Sequence, residues 1–397
     1  MKLYAQHGFG DGEKTITGLR EGLIQGVVFG AKDIGPDKLR EKLTEVNEVS
    51  PSAIRLLDPQ FYVSLLSGGT NLRLGSLEEY PYFRPYRKSQ LEITERVGDI
   101  LQEALEFQAG LPLSGIIAPN ILISRSFDSA ESVISKNFIR ATGARYGKLA
   151  DQRPVYATVA VSREALLEKS LLQEFLADIT LLDTPPDGFY LLVGASSSEA
   201  RTEIFHADVI AGWLLLNYSL RVNGFEVING YSDRLSPFLG AVGGSAGCSG
   251  WFNTLKTFSL DRFAPAATGG RLPVQTYLST RLLNRITFIE LNGLRLFLPD
   301  VLNHLPHDVD FTEAEEPQRN REVLQSWEAL KTLAARLTAG DLVANLANCD
   351  AAIAQARDAY ARISAARFPL DLDSKSGNDH LKDLSEGIKL FREFAEL

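Results

Sequence analysis

Two aspartates stand where the sequence predicts the ends of buried strands. Asp58 closes the apolar run AIRLLD and precedes a proline, and Asp233 follows the run GFEVINGY. Two carboxyl groups in one cleft could serve as acid/base or nucleophile in the cleavage of a glycosidic bond. The alternative is that Asp58 caps a turn and Asp233 caps the helix that follows it.

Other polar or aromatic residues follow the remaining predicted strands. Arg125 and Arg163 could each clamp a phosphate or carboxylate with paired hydrogen bonds, or could form surface ion pairs instead. Trp251 could stack on a base, and burial in the core is the alternative. The other candidate ligand-binding side chains at strand ends are Asp33, Asn120, Tyr231 and Ser249.

The stretch GAVGGSAGCSGW, residues 240–251, is rich in glycine. Backbone without side chains can approach a ligand closely and direct several N–H groups at it. In (β/α)8 barrels, phosphate groups are commonly held by the loops after the seventh and eighth strands. We therefore expect Gly243, Gly244 and Gly247 to cradle a phosphate. Tight packing between a helix and a strand is the alternative.

Strand-then-helix units repeat along the first three quarters of the chain. Continuous apolar, β-branched runs such as VYATVAV are typical of a parallel sheet covered by helices on both faces. The predicted strand regions are 26–30, 53–62, 115–120, 155–164, 188–198, 224–233 and 240–251. This pattern predicts an α/β fold, a TIM-like (β/α)8 barrel, with an open doubly wound sheet as the alternative.

Two parts of this barrel are less regular. The first 25 residues are predicted to form a hairpin or a plug over one barrel end. The eighth strand is expected either within residues 269–274 or in ITFIEL, residues 286–291.

The composition changes near Phe311, where the strand pattern gives way to amphipathic helices. We predict a barrel domain at residues 1–305, with a long insertion near 67–89, and a helical appendage at 311–397. Such helices pack on a barrel or on a second subunit, so a partner protein or self-association through them is expected.

Composition narrows the class of protein. The formal net charge of −9 counts against a general attraction to nucleic acid. Basic groups at residues 84–88 and 136–153 could still contact it, or could be solvated surface. Two cysteines and scattered histidines predict no metal site, and no cofactor is expected. With no signal peptide and no long apolar run, we expect a cytoplasmic protein without a membrane partner.

Two segments resemble the tRNA-guanine transglycosylase family. The first, AKDIGPDKLREKL…AIRLLDPQFYVSLLSGG, is similar to that family's early segment, with Leu39 and Tyr62 at matching places. The second, TYLSTRLLNRITFIELNGLRLFL, is similar to the segment after the family's zinc site. Its matching residues, in order, are Tyr277, Leu278, Glu290, Leu291, Arg295 and Leu296.

The resemblance implies a (β/α)8 barrel with insertions and glycosyl transfer chemistry. The family's acid/base motif is replaced by Ala118-Pro119-Asn120, and its nucleophilic aspartate and zinc cysteines are missing. No catalytic residue is therefore carried over by matching. The resemblance also implies a helix over 286–298, whereas the residues alone predict a hairpin around Asn292-Gly293.

The combined prediction is a TIM-barrel enzyme acting on a nucleoside or nucleic-acid glycosidic bond, as a glycosyltransferase or glycosidase. Asp58 and Asp233 would be its carboxylates, and the glycine-rich loop would hold a phosphate-bearing ligand. The alternative is a catalytically silent barrel that binds nucleic acid or a partner protein as part of a complex.

Overall fold

The computed structural model describes residues 1–10, 12–65, 72–265, 274–312, 315–366 and 372–397. Its strands are β1 Lys2–His7, β2 Gly26–Gly30, β3 Ile54–Asp58, β4 Ile116–Ala118, β5 Leu122–Ile123, β6 Val155–Ser162, β7 Gly188–Ala195, β8 Glu226–Asn229, β9 Ala246–Ser249, β10 Phe258–Ser259, β11 Thr276–Ser279 and β12 Asn284–Thr287. Its α-helices are α1 Glu13–Arg20, α2 Pro36–Val49, α3 Lys88–Leu91, α4 Thr94–Ala109, α5 Ala130–Tyr146, α6 Lys169–Thr180, α7 Arg201–Ile204, α8 Ala207–Val222, α9 Ser236–Ala241, α10 Asn253–Lys256, α11 Phe288–Leu294, α12 Arg319–Leu337, α13 Leu342–Ala365 and α14 Asp379–Phe394.

Eight parallel strands form a nearly closed ring in the order β3-β2-β1-β9-β8-β7-β6-β4. β1 connects the early barrel strands to the last one, because it pairs with both β2 and β9. Between β3 and β4 the ring is bridged by a hydrogen bond of 2.9 Å from Ser114 N to Arg55 O. The predicted (β/α)8 barrel is confirmed, and the open doubly wound sheet is excluded.

The first strand was not predicted. Residues 2–7 form β1, so a hairpin or plug at this end of the chain is wrong. The segment KLYAQH does not have the pattern of a buried strand, because Gln6 and His7 are polar. Both side chains are nevertheless buried in the folded barrel. The glycine-rich stretch therefore supplies the eighth strand, β9, rather than the seventh.

The segment ITFIEL does not belong to the barrel. Its first two residues end β12, which pairs antiparallel with β11, and the rest begins α11. Thr287 Oγ1 accepts a hydrogen bond from Glu290 N, and the Glu290 carboxylate accepts one from Thr287 N. This capping box starts a helix, so the hairpin predicted around Asn292-Gly293 is wrong. The other place expected for the eighth strand, 269–274, lies almost wholly outside the described residues.

The C-terminal helices lie directly on the barrel. α12 packs against α1, α9 and β1, and α14 packs along α8. Trp327 of α12 is completely buried, and its Nε1 donates to Ser249 O of β9 at 3.1 Å. The domain limits 1–305 and 311–397 stay a prediction, as does the insertion near 67–89, of which residues 67–71 are outside the described ranges. No helix in the described part of the chain is long and apolar enough to cross a membrane.

Candidate functional site

A fully buried carboxylate lies at the carboxyl end of β3. Asp58 Oδ1 accepts a hydrogen bond from Gln60 N at 3.1 Å. Its Oδ2 accepts from the hydroxyls of Tyr62, Tyr190 and Tyr231 at 3.1, 3.4 and 3.3 Å. Burial raises the pKa of Asp58 to about 6, although these hydrogen bonds oppose the shift. Asp58 can therefore exchange a proton near neutral pH, inside the barrel.

Asp58→Asn is expected to stabilise the protein at pH 7.5 and to leave its stability nearly unchanged at pH 4. The folded-state pKa of Asp58 lies above its unfolded value, so wild-type stability falls as pH rises through about 6. The shift corresponds to a penalty of roughly 3 kcal/mol at neutral pH, which the neutral amide does not carry. Urea unfolding at both pH values measures it.

The control for this experiment is Asp178→Asn. The hydrogen bond from Lys136 lowers the pKa of Asp178, so losing this carboxylate removes stability that is present at neutral pH. The two variants should therefore shift stability at pH 7.5 in opposite directions. Equal stabilisation of Asp58→Asn at pH 4 and pH 7.5 would contradict the raised pKa.

Residues 258–263, which we call the covering segment, close the centre of the barrel mouth. The Phe258 ring lies 4.9 Å from the ring of Tyr62 and 5.6 Å from that of Tyr231. Arg262 Nη1 donates to the Tyr231 hydroxyl at 2.8 Å, and its Nη2 donates to Asp33 Oδ2 at 2.6 Å. Asp58 and its tyrosines are therefore sealed from solvent by the chain itself.

The second predicted carboxylate lies at a different place on the mouth. Asp233 Oδ1 accepts hydrogen bonds from Ser249 Oγ at 2.6 Å and from Arg285 Nη2 at 2.8 Å. Burial alone would raise the pKa of Asp233, but the charges of Arg285 and Lys256 and these hydrogen bonds outweigh it. The pKa is lowered to about 2, so Asp233 is ionised at neutral pH.

The backbone is strained at three positions around these carboxylates. Gln60, Tyr231 and Asp233 have φ values of 52°, 52° and 31°. Side-chain-bearing residues avoid this left-handed region, at a cost on the order of 1 kcal/mol or more each. Strain of this kind is concentrated at functional sites.

Two neighbouring cavities open beside the covering segment. The outer cavity, of about 640 Å³, lies among α1, α12, the β11–β12 hairpin and the loop after β9. The inner cavity, of about 40 Å³, lies by the loops after β7 and β8 and is lined by Tyr231 and Asp233. Both cavities are lined by Asn253, Lys256 and Arg285, and we call these shared lining residues the junction.

The outer cavity is predominantly basic. Among the described residues, its acidic lining side chains are Glu199, Glu322 and Asp373. Its basic lining side chains are Lys14, Lys256, Arg285, Arg319 and Lys375. A cavity with this excess of positive charge favours an anionic ligand.

The structure brings six of the predicted site residues to the mouth, in two groups. Asp33, Asp58 and Tyr231 belong to the sealed cluster under the covering segment. Asp233, Ser249 and Trp251 lie at or next to the cavities.

Three predicted ligand-binding residues, Asn120, Arg125 and Arg163, line neither of the two mouth cavities. The Asn120 side-chain amide donates to Ser135 and to Thr158 O, and this buried side chain ties β4 to β6 and α5. Arg163 forms ion pairs with Glu164 and Glu203, at 3.0 and 3.6 Å. Arg125 is exposed and lines neither of the two mouth cavities.

The predicted phosphate cradle is not supported. Gly243 and Gly244 precede β9, so they lie at the amino end of the barrel, opposite the mouth. A Cβ atom on Gly247 would come within 2.3 Å of Ser236 Oγ on α9. Close packing against α9, the alternative for this stretch, explains Gly244 and Gly247, whereas Gly243 has a positive φ of 114° that favours glycine.

The nucleic-acid alternative also finds no support. Several cations of the two basic groups are held in ion pairs on the protein surface. These pairs are Arg84–Glu103, Lys88–Glu131, Lys136–Asp178 and Arg153–Asp151. The solvated-surface interpretation accounts for Arg84 and Lys88, whereas Arg153 also donates to the backbone oxygens of Leu111 and Leu113 and so has a structural role.

Sequence reasoning missed the residues that connect the site. Arg285 lies on the β11–β12 hairpin, outside the barrel, and Lys256 and Arg262 follow the last barrel strand. Tyr190 had a signal, since its hydroxyl needs a polar partner within the otherwise apolar strand GFYLLVGA.

Comparisons with known proteins give no family. No family model and no curated protein sequence matches the chain. Dihydrodipicolinate synthase from Thermotoga maritima aligns over 100% of this chain and 99% of its own, at 10% identity and a TM-score of 0.35. The Oceanobacillus iheyensis dihydrodipicolinate synthase aligns over 100% and 96%, at 12% identity and a TM-score of 0.25.

A third similar structure is the carboxyl transferase domain of Rhizobium etli pyruvate carboxylase. It aligns over 84% of this chain and 48% of its own, at 11% identity and a TM-score of 0.33. The predicted resemblance to tRNA-guanine transglycosylases is therefore wrong, because no model of that family matches the chain. The geometry of the barrel mouth alone carries the functional argument.

Proposed function

We propose that the protein is a barrel enzyme that binds a small organic anion in the outer cavity, with Lys256 and Arg285 as the anion-binding residues. The observation that carries this proposal is the position of these two cations at the junction of both cavities. Their side chains are only 12% and 2% exposed. Cations in so little water interact strongly with a bound anion.

Hydrogen bonds and nearby carboxylates position these two cations. Asp233 and Ser326 accept hydrogen bonds from two nitrogens of the Arg285 guanidinium. Lys256 Nζ lies 3.9 Å from the Glu322 carboxylate. Fixed cations of this kind stabilise negative charge that develops on a bound substrate during reaction. The strained backbone at Asp233 is a further feature typical of enzyme sites.

This geometry favours charge stabilisation over the predicted cleavage of a glycosidic bond. Such cleavage uses two carboxyl groups that flank one bond, roughly 5–10 Å apart. Asp58 is sealed under the covering segment and lines neither mouth cavity, whereas Asp233 lines the inner one. The two aspartates therefore do not face a common substrate position in this conformation.

Thermal unfolding with small anions tests the proposal. Acetate, pyruvate, benzoate and inorganic phosphate are titrated separately, at constant low ionic strength, with the full chain. We expect at least one of the carboxylates to raise Tm by a few degrees at about 100 times its Kd. Lys256→Gln, which removes one cation from the junction, should largely abolish this increase.

Lys389→Gln is the matched control, since Lys389 lies on α14 in an exposed pair with Glu386. This variant should respond to the anions as the wild type does. The proposal fails if none of the anions raises the wild-type Tm, or if Lys256→Gln and Lys389→Gln respond equally.

A further inference from the structure

We infer that the ligand is a carboxylic acid with a flat apolar body, whose carboxylate enters the inner cavity while the body lies against Trp251. The inference rests on the proposed function and adds to it the chemical class of the ligand. It depends on three features of the site: the size of the inner cavity, the charges at its entrance, and the apolar wall of the outer cavity.

The inner cavity admits a small anionic group and excludes a larger body. One water molecule needs about 10–15 Å³ of such space, so about 40 Å³ holds roughly three water molecules. A carboxylate can replace these waters, whereas a flat body has to stay in the outer cavity. The apolar wall of the outer cavity, rather than size, distinguishes a carboxylic acid from inorganic phosphate.

The entrance supplies the positive charge that a carboxylate needs. Arg234, Lys256 and Arg285 line the inner cavity together with the Asn253 side chain, and they outnumber the ionised carboxylate of Asp233, the acidic side chain among its described lining residues. Arg285 donates through Nη1 and Nη2, while its buried Nε has no acceptor among the described residues. A carboxylate oxygen beside this guanidinium can satisfy the remaining donor after a small shift of the side chain.

The outer cavity offers an apolar wall next to this polar entrance. Trp251, Phe252, Val274 and Val323 line it, and Phe252 is 48% exposed. Lys14 Nζ lies 5.3 Å from the centre of the Trp251 ring, a cation–π contact that helps to fix the ring. Such a wall favours a flat apolar group and gives no advantage to a compact, fully hydrated anion.

Isothermal titration with matched probes tests the inference. Benzoate is compared with acetate, which lacks the flat body, and with benzamide, which lacks the charge. We expect benzoate to bind at least about tenfold more tightly than either. Trp251→Ala should weaken benzoate binding about tenfold and leave acetate binding nearly unchanged. Lys256→Gln should weaken both.

A fluorescence measurement covers the case in which Trp251→Ala does not fold. The chain has three tryptophans; Trp327 lines neither cavity, whereas the buried Trp213 lines the inner cavity and contributes its own share of any quenching. The quencher 4-nitrobenzoate should reduce wild-type tryptophan emission at saturation, and Trp251→Phe should remove the share of this quenching that comes from Trp251 while keeping benzoate affinity within about threefold.

The outcomes separate the two proposals. If acetate binds as tightly as benzoate, or if Trp251→Phe is quenched like the wild type, the inference is overturned while an anion site remains. If phosphate binds more tightly than benzoate, the carboxylate assignment is overturned. If no anion binds in a manner that depends on Lys256, the proposed function fails as well.

Discussion

Arg285→Met is expected to lower the free energy of unfolding by about 3–5 kcal/mol, because it leaves a buried charge without its partner. Asp233 is ionised, and the substitution removes its closest cation, although the hydrogen bond from Ser249 and the charge of Lys256 remain. The Ser326 hydroxyl would lose the Arg285 donor as well. Urea unfolding at pH 7.5 measures the loss. It should be smaller at pH 4, because an unpaired buried carboxyl group takes up a proton more readily.

Two comparisons separate the missing charge from a simple loss of packing. Arg285→Met combined with Asp233→Asn removes both charges and should recover about half of the lost stability. Arg392→Met breaks a partly exposed pair with Asp350 and should cost only about 0–1 kcal/mol. If the double variant is no more stable than Arg285→Met, the cost does not come from the unpaired carboxylate.

Trp327→Ala is expected to cost about 3–5 kcal/mol, the range typical of large buried aromatic residues. The ring fills the space between α12 and the barrel, and a Cβ atom on Gly18 of α1 would come within 2.8 Å of it. The substitution also removes the hydrogen bond from Nε1 to Ser249 O. Trp327→Phe should cost less, because the smaller ring still fills most of the space.

The same packing bears on the predicted division into domains. Trp327, Leu324 and Leu330 of α12 share one hydrophobic core with Leu3 of β1 and Ile16 of α1. We therefore expect the fragment 1–318 not to fold cooperatively, as measured by urea unfolding.

Leu181→Ala, at a residue 83% exposed, is the surface control for Trp327→Ala and should change stability by less than about 0.5 kcal/mol. A cooperatively folded fragment, or a Trp327→Ala cost as small as that of Leu181→Ala, would contradict this role of α12.

The barrel was predictable because its central strands are apolar on both faces. Runs such as VYATVAV indicate strands that pack against helices on one face and against the barrel core on the other. β1 was not predictable in this way, because Gln6 and His7 are polar residues that are buried in the folded barrel. α11 was hidden by Asn292-Gly293, a turn signal that the capping box of Thr287 and Glu290 overrides.

The candidate site was predictable only where it lies at strand ends. Asp58, Tyr231, Asp233 and Ser249 follow barrel strands, so the fold rule places them near the mouth. Arg285 comes from a hairpin that is added to the barrel, and no rule relates its position to the strand ends. The glycine-rich stretch did not distinguish a phosphate cradle from tight packing, because a backbone without side chains suits both.

Residues 258–263 cover the Asp58 cluster at the mouth, so a ligand meets the outer cavity instead. Arg319, Glu322 and Lys375 from the C-terminal part of the chain complete the wall of this cavity. Substitutions in this C-terminal wall can therefore change which molecules bind in the outer cavity without disturbing the strands of the barrel. The barrel and the ligand selectivity of the outer cavity can therefore change independently of each other during evolution.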